Sequence, residues 1–196
     1  MATNQVLLRA EYAAGTGSSD GTASPSARSS LAYLEAGGAL LEHWRAHPRE
    51  ALTWPTIDTY RTSAELALKD AIRLAARCLR SDGARGAEVD PGILEARMSA
   101  YTTVESLVKH FSTLLRKAPL TAGESADMTH ATLERLLILD APPPTAHGAG
   151  RGVGQGLGLA HADLEETALR LTEAVMFLAH EVCGALTRYL ALHGEA

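Results

Sequence analysis

A chain of 196 residues is long enough for one domain with some loose chain attached. Its 18 basic and 23 acidic residues leave a net charge of −5, which gives no support to a general electrostatic binder of nucleic acid. Hydrophobic residues reach 46% while aromatics reach only 5%, so the core has to come from Leu, Ala, Val and Ile, a diet that favours packed helices over a β-sandwich.

Residues 1–12 hold only the short apolar run Val6-Leu7-Leu8, followed by Arg9 and Glu11, which is too short for a secretion signal. The next stretch, 13–30, is small, polar and rich in Gly and Ser. It cannot bury enough apolar surface to offset its ordering entropy, so 1–29 is expected to be a disordered tail and 30–193 the helical domain. Ser30 reads as an N-cap for a helix over Leu31–Arg45 with Leu34, Leu40, Leu41 and Trp44 on one face. Gly37 and Gly38 weaken that helix by about 1 kcal/mol each relative to Ala, and imply a kink or the close approach of a neighbour. His43 and His47 flank Trp44 but have no acidic or Cys partner at ligand spacing, so they read as surface residues and no metal is expected.

Trp54 to Arg80 is the strongest helical pattern. On a wheel at about 100° per residue, Tyr60, Ala64, Ala67, Leu68, Ala71, Ile72, Leu74, Ala75, Cys78 and Leu79 share one arc, with Lys69, Arg73, Arg77 and Arg80 opposite. Pro55 suits its first turn, and Ser81-Asp82-Gly83 supplies the stop. Glu65 and Lys69 stand four apart in the favourable order for a surface ion pair. Cys78, like Cys183 later, reads as a small buried hydrophobe in a reducing cytoplasm.

Asp90-Pro91 is a helix start, with Asp as N-cap and Pro at the first position. Thr102 and Glu105 have capping-box spacing, so the following stretch reads as two helices, 91–100 and 103–117, or one with a break. Val104, Leu107, Val108, Phe111, Leu114 and Leu115 form a clear apolar face, and His110 stands beside it as a half-buried, hydrogen-bonded histidine. A shorter helix is predicted over Thr129–Leu139, stopped by Pro142-Pro143-Pro144. The segment 145–160, with glycines alternating from Gly148 to Gly158, meets neither the Walker nor the dinucleotide pattern and reads as a linker. Asp163 and Glu166 have capping-box spacing, and Leu164, Ala168, Leu171, Val175, Leu178, Val182, Leu186 and Tyr189 make one stripe to about Leu192. No run of 18 uniformly apolar residues is present, so no membrane-spanning helix is expected.

The architecture predicted is therefore all-α, a bundle of five to six helices. The order of a helix with Trp44, then TYRTSAELALKDAIRLAARCL, SLVKHFSTLLRKA and LERLLILDAP, resembles the HEPN-like helical domains (higher eukaryote and prokaryote nucleotide-binding). The matching residues are Glu65, Leu66, Ala67, Leu68 and Lys69, then Lys109, His110, Leu114 and Leu115, and the resemblance covers about 31–140 with the final helix less closely. It implies an all-α bundle that is often dimeric. Many such domains are toxin or defence ribonucleases with an Arg-x4–6-His motif; others are non-catalytic modules that bind RNA, nucleotides or a protein partner. Arg188-Tyr-Leu-Ala-Leu-His193 fits the motif, Arg to hold a phosphate and His to move a proton. On a regular helix, however, Arg188 and His193 point about 140° apart, with His193 on the apolar stripe.

The function expected is a non-catalytic HEPN-like module of a bacterial, cytoplasmic defence or regulatory system, binding a protein partner or forming a homodimer. Glu65, Lys69 and His110 are its candidate binding residues. The alternative is a metal-independent, toxin-type endoribonuclease using Arg188 and His193, with RNA as its substrate; a further alternative is a binder of nucleotides or small molecules. No cofactor, no DNA and no membrane partner are expected.

Overall fold

The computed structural model describes residues 25–47, 50–118, 124–140 and 161–193. The tail as far as residue 24 and the Gly-rich linker 145–160 lie outside them. Among the described residues there is no strand, and the chain is an all-α bundle as predicted. Its helices are α1 (Pro25–Ala46), α2 (Glu50–Ser81), α3 (Pro91–Ala100), α4 (Val104–Leu115) and α5 (Glu124–Leu136), followed by a 3-10 turn (Leu137–Asp140). A last rod joins α6 (His161–Met176), a π-helical segment (Phe177–Val182) and α7 (Cys183–His193).

α2 is the central post. It packs most extensively on α1 and also touches α4, α6, the π segment and α7. The arc read from its sequence is the buried one: Tyr60, Ala64, Ala67, Leu68, Ala71, Ile72, Ala75, Cys78 and Leu79 are all in the core. Leu74 is only partly covered. Small residues along this arc let neighbouring helices come close. The tightest approach is to α1, where a Cβ added at Gly37 would lie 3.1 Å from Tyr60 Cε2, whereas Gly38 faces open space. Of the two expectations for the glycine pair, close approach is the one the structure shows.

Several helix ends differ from the predicted ones. α1 begins at Pro25, more than a turn before Ser30, so Ser30 is no cap; it is buried, and its carbonyl accepts a hydrogen bond from Ser63 Oγ at 2.7 Å. The start of α2 at Glu50 places Pro55 inside the helix, not in its first turn. There the Thr56 and Thr59 hydroxyls donate to the carbonyls of Leu52 and Pro55 at 2.7 and 2.6 Å. α2 closes on the expected glycine, with Gly83 at φ +86° and Ala84 N–H reaching back to Leu79 O at 2.9 Å, the glycine-ended helix stop of left-handed geometry. Asp90 caps α3 as predicted, its Oδ1 accepting from Ile93 N–H at 2.9 Å. The cap of α4 is Thr103, not Thr102: Thr103 has the extended backbone (φ −132°, ψ 147°) and accepts from Ser106 N–H at 3.2 Å. α5 starts at Glu124, ahead of Thr129, and α6 at His161, ahead of Asp163.

The π segment was not foreseen, and it explains the far end of the chain. From Leu178 to Leu190 is twelve residues. At about 100° each an uninterrupted α-helix would turn Leu190 about 120° away from the core face. A wide turn takes up about one extra residue and brings it back to within about 20°. Leu190 is accordingly buried, and Tyr189, predicted on the stripe, is only partly buried at the edge of the core. By length and composition alone Leu164–His193 is long and apolar enough to cross a membrane, a test that core helices of soluble proteins also pass; 33% of its apolar window is buried in the bundle.

Candidate functional site

The polar groups converge at the α3–α4 corner. α3 turns Leu94 and Met98 into the core, which leaves Arg97 outward in its last turn. The helix then stops at Tyr101 in extended backbone (φ −74°, ψ 125°), and the chain restarts two residues on at the Thr103 cap. α4 buries Leu107, Phe111 and Leu114, so Lys109 and His110 flank the core and face the same side as the corner. Glu88 arrives from the α2–α3 loop. Its place is set by Val89, which is buried and whose carbonyl accepts from Arg80 Nη1 at 2.5 Å.

These elements enclose an open cleft of about 390 Å³, walled by Glu88, Arg97, Tyr101, Lys109, His110 and Thr113, with Leu114 beneath. His110 is the best-held group in it. Tyr101 Oη lies 2.7 Å from His110 Nδ1, and the two rings meet edge to face with centroids 5.7 Å apart. Nε2 has no hydrogen-bond partner among the described residues. Burial, followed by the Arg97 charge, pushes the imidazole below the ordinary histidine range, with Glu88 opposing the shift. Lys117 Nζ grips both Glu88 oxygens at 2.6 and 2.7 Å, and that bond holds the carboxyl below its usual range. Lys109 pairs with Glu105 at 2.6 Å.

The residues predicted from sequence do not form one site. His110 lies in the cleft; Glu65 and Lys69 are on α2 and do not line it. Glu65 pairs backward with Arg61 at 3.4 Å and not forward with Lys69. The Lys69 charge acts instead on Glu95, which Arg73 holds at 2.7 and 2.9 Å. Arg188 and His193 share no hydrogen bond, ion pair or ring contact among the described residues. The Arg188 guanidinium lies along its own helix, 3.4 Å from where a Gly184 Cβ would stand. His193 stacks on Tyr189 at 4.2 Å, and Tyr189 Oη donates to Asp82 Oδ1 at 2.7 Å. His193 is exposed: it stands in the last turn of α7, beyond Leu190, the last buried residue of the rod.

Sequence reasoning missed Arg97, Tyr101 and Glu88. The Asp90-Pro91 cap fixes the register of α3 and could have placed Arg97 in its last turn. Nothing local signals that Tyr101 folds back onto His110. Among the described residues no group of three or more His, Cys, Asp or Glu side chains is placed to hold a metal ion. Compared with known protein families, curated protein sequences and solved structures, the chain has no match.

Proposed function

We propose that the chain is a non-catalytic, HEPN-like helical module that works by association, with a protein partner or with a second copy of itself. The observation that carries this reading is the last rod: its 30 residues from Leu164 to His193 include a strongly apolar window, of which only 33% is buried. Leu169 and Leu192 stand out from it at 48% and 81% exposure, and Met128 on α5 at 57%. A helix whose apolar window is left mostly uncovered by its own bundle supports a role in association. The HEPN-like character, and with it the setting in a bacterial defence or regulatory system, rests on the short sequence motifs alone.

Sedimentation equilibrium on the intact chain tests the reading, together with RNA cleavage in EDTA. Self-association that Leu169→Glu weakens, with no cleavage, is the expected result. A monomer that instead partitions onto neutral lipid vesicles would assign the apolar rod to a membrane surface and overturn the reading. Metal-free cleavage lost in His193→Ala would establish the endoribonuclease.

A further inference from the structure

We propose that the α3–α4 cleft is a binding site for a phosphate monoester, held between the Arg97 guanidinium and the Nε2 edge of His110. The charge inventory of the cleft points to an anion. Lys109 is matched by Glu105, and Lys117 by Glu88, the one carboxylate in the cleft wall among the described residues. Arg97 forms no ion pair among the described residues; its charge acts on Glu88, but Lys117 already holds that carboxylate, so one positive charge is left over at the mouth. A guanidinium offers two parallel N–H donors that fit a phosphate fork.

The second contact comes from His110. Tyr101 fixes the ring through Nδ1, so Nε2 is presented to the cleft without rotational freedom. A carboxylate, with one charge, is satisfied by Arg97 alone. A phosphate dianion has charge left for a protonated Nε2–H. The size agrees: about 390 Å³ is more than a bare ion needs and suits a small esterified molecule.

Binding is thereby coupled to a proton. Among the described residues the charged groups facing His110 are Arg97 from α3, Glu88 from the α2–α3 loop and Lys109 from α4 itself, with none in the cleft wall from α2 or α5. A dianion placed between Arg97 and His110 offsets the repulsion between them and raises the affinity of His110 for its proton. By reciprocity, the ester binds more tightly as the pH falls into the histidine range, until the ester's own second ionisation, at about pH 6, removes the dianion.

The test is an NMR titration of the intact chain with inorganic phosphate, glucose 6-phosphate and acetate at fixed ionic strength. Saturable shifts confined to Arg97, Tyr101 and His110, with an upward move of the His110 titration in the presence of the sugar phosphate, are expected. Arg97→Gln should weaken binding by about tenfold or more, the loss of one charge-assisted contact. His110→Gln should keep weak binding and lose the tightening at lower pH, leaving only the dependence set by the ester's own ionisation. Arg97 is exposed, so an unchanged melting curve will confirm that its variant is folded. Acetate binding as tightly as the phosphates, shifts scattered over surface lysines, unchanged affinity in Arg97→Gln, or no binding of either phosphate would each overturn the proposal.

Discussion

Gly37 and Gly38 are neighbours in one helix, and their replacement by alanine should move stability in opposite directions. Each substitution removes the same helix penalty, about 0.5–1 kcal/mol. At Gly38 nothing lies within 4 Å of the new Cβ, so the whole gain should appear. At Gly37 the new atom meets three carbons of the Tyr60 ring, Cε2 at 3.1 Å and Cδ2 and Cζ at 3.2 Å. Tyr60 is only 3% exposed, with its phenol beside Thr172 of α6, so the ring has nowhere to retreat. Overpacking of this kind costs about 1–3 kcal/mol. The two variants should therefore differ by about 2 kcal/mol, Gly38→Ala above the parent and Gly37→Ala below it. For a chain of this size that is a separation of about 4–8 °C in Tm. Paired urea and thermal melts measure it. Equal stabilisation in both variants would show that Tyr60 does not pin α1 to α2, and the account of the glycine pair would fail.

Other consequences follow from the same contacts. Burial pushes the Cys78 thiol to about 11 and Cys183 to about 12, so both should resist a thiol reagent at pH 8 in the native chain and react together on unfolding; fast labelling of either in the folded state would contradict their placement. His110 has its affinity for a proton lowered by folding, so the unfolded chain takes the proton more readily below about pH 6.5. Stability present above that pH should be lost as the pH falls through the folded value, and His110→Gln should flatten that part of the profile; an unchanged profile would count against the half-buried ring. Deleting Ala179 from the π segment should convert it to regular helix and keep Leu186 and Leu190 in the core. Deleting Ala168 from α6 should instead rotate every later core residue by about 100° and destabilise the chain severely, so equal effects by circular dichroism melts would refute the phase argument.

The helices themselves were legible wherever one physical rule acted locally. The α2 arc from Tyr60 to Leu79 needed only periodicity, the Asp90-Pro91 start only a side-chain oxygen and a fixed φ, and the α4 face from Val104 to Leu114 only both together. Where two neighbours competed, the sequence was silent: Thr102 and Thr103 are both capable caps, and backbone direction after Tyr101 chose the second. The π segment left a trace, the four-residue steps from Leu178 through Val182 and Leu186 to Leu190. Reading Tyr189 as the last core position hid it. Beyond His110 the cleft was legible only as far as the place of Arg97 in the last turn of α3, because the turn from Tyr101 to the Thr103 cap, and the loop that carries Glu88, decide which side chains face α4.

The central place of α2 has a cost during synthesis. Its apolar arc is finished early, but three of the surfaces that cover it, α6, the π segment and α7, are made last. As the chain emerges from a ribosome, Leu68, Ala71 and Ile72 would face water while more than eighty further residues are added. α1 and α4 shield part of the post in the meantime, and the remainder is open to any chaperone, or to another nascent copy, until residue 190 is out.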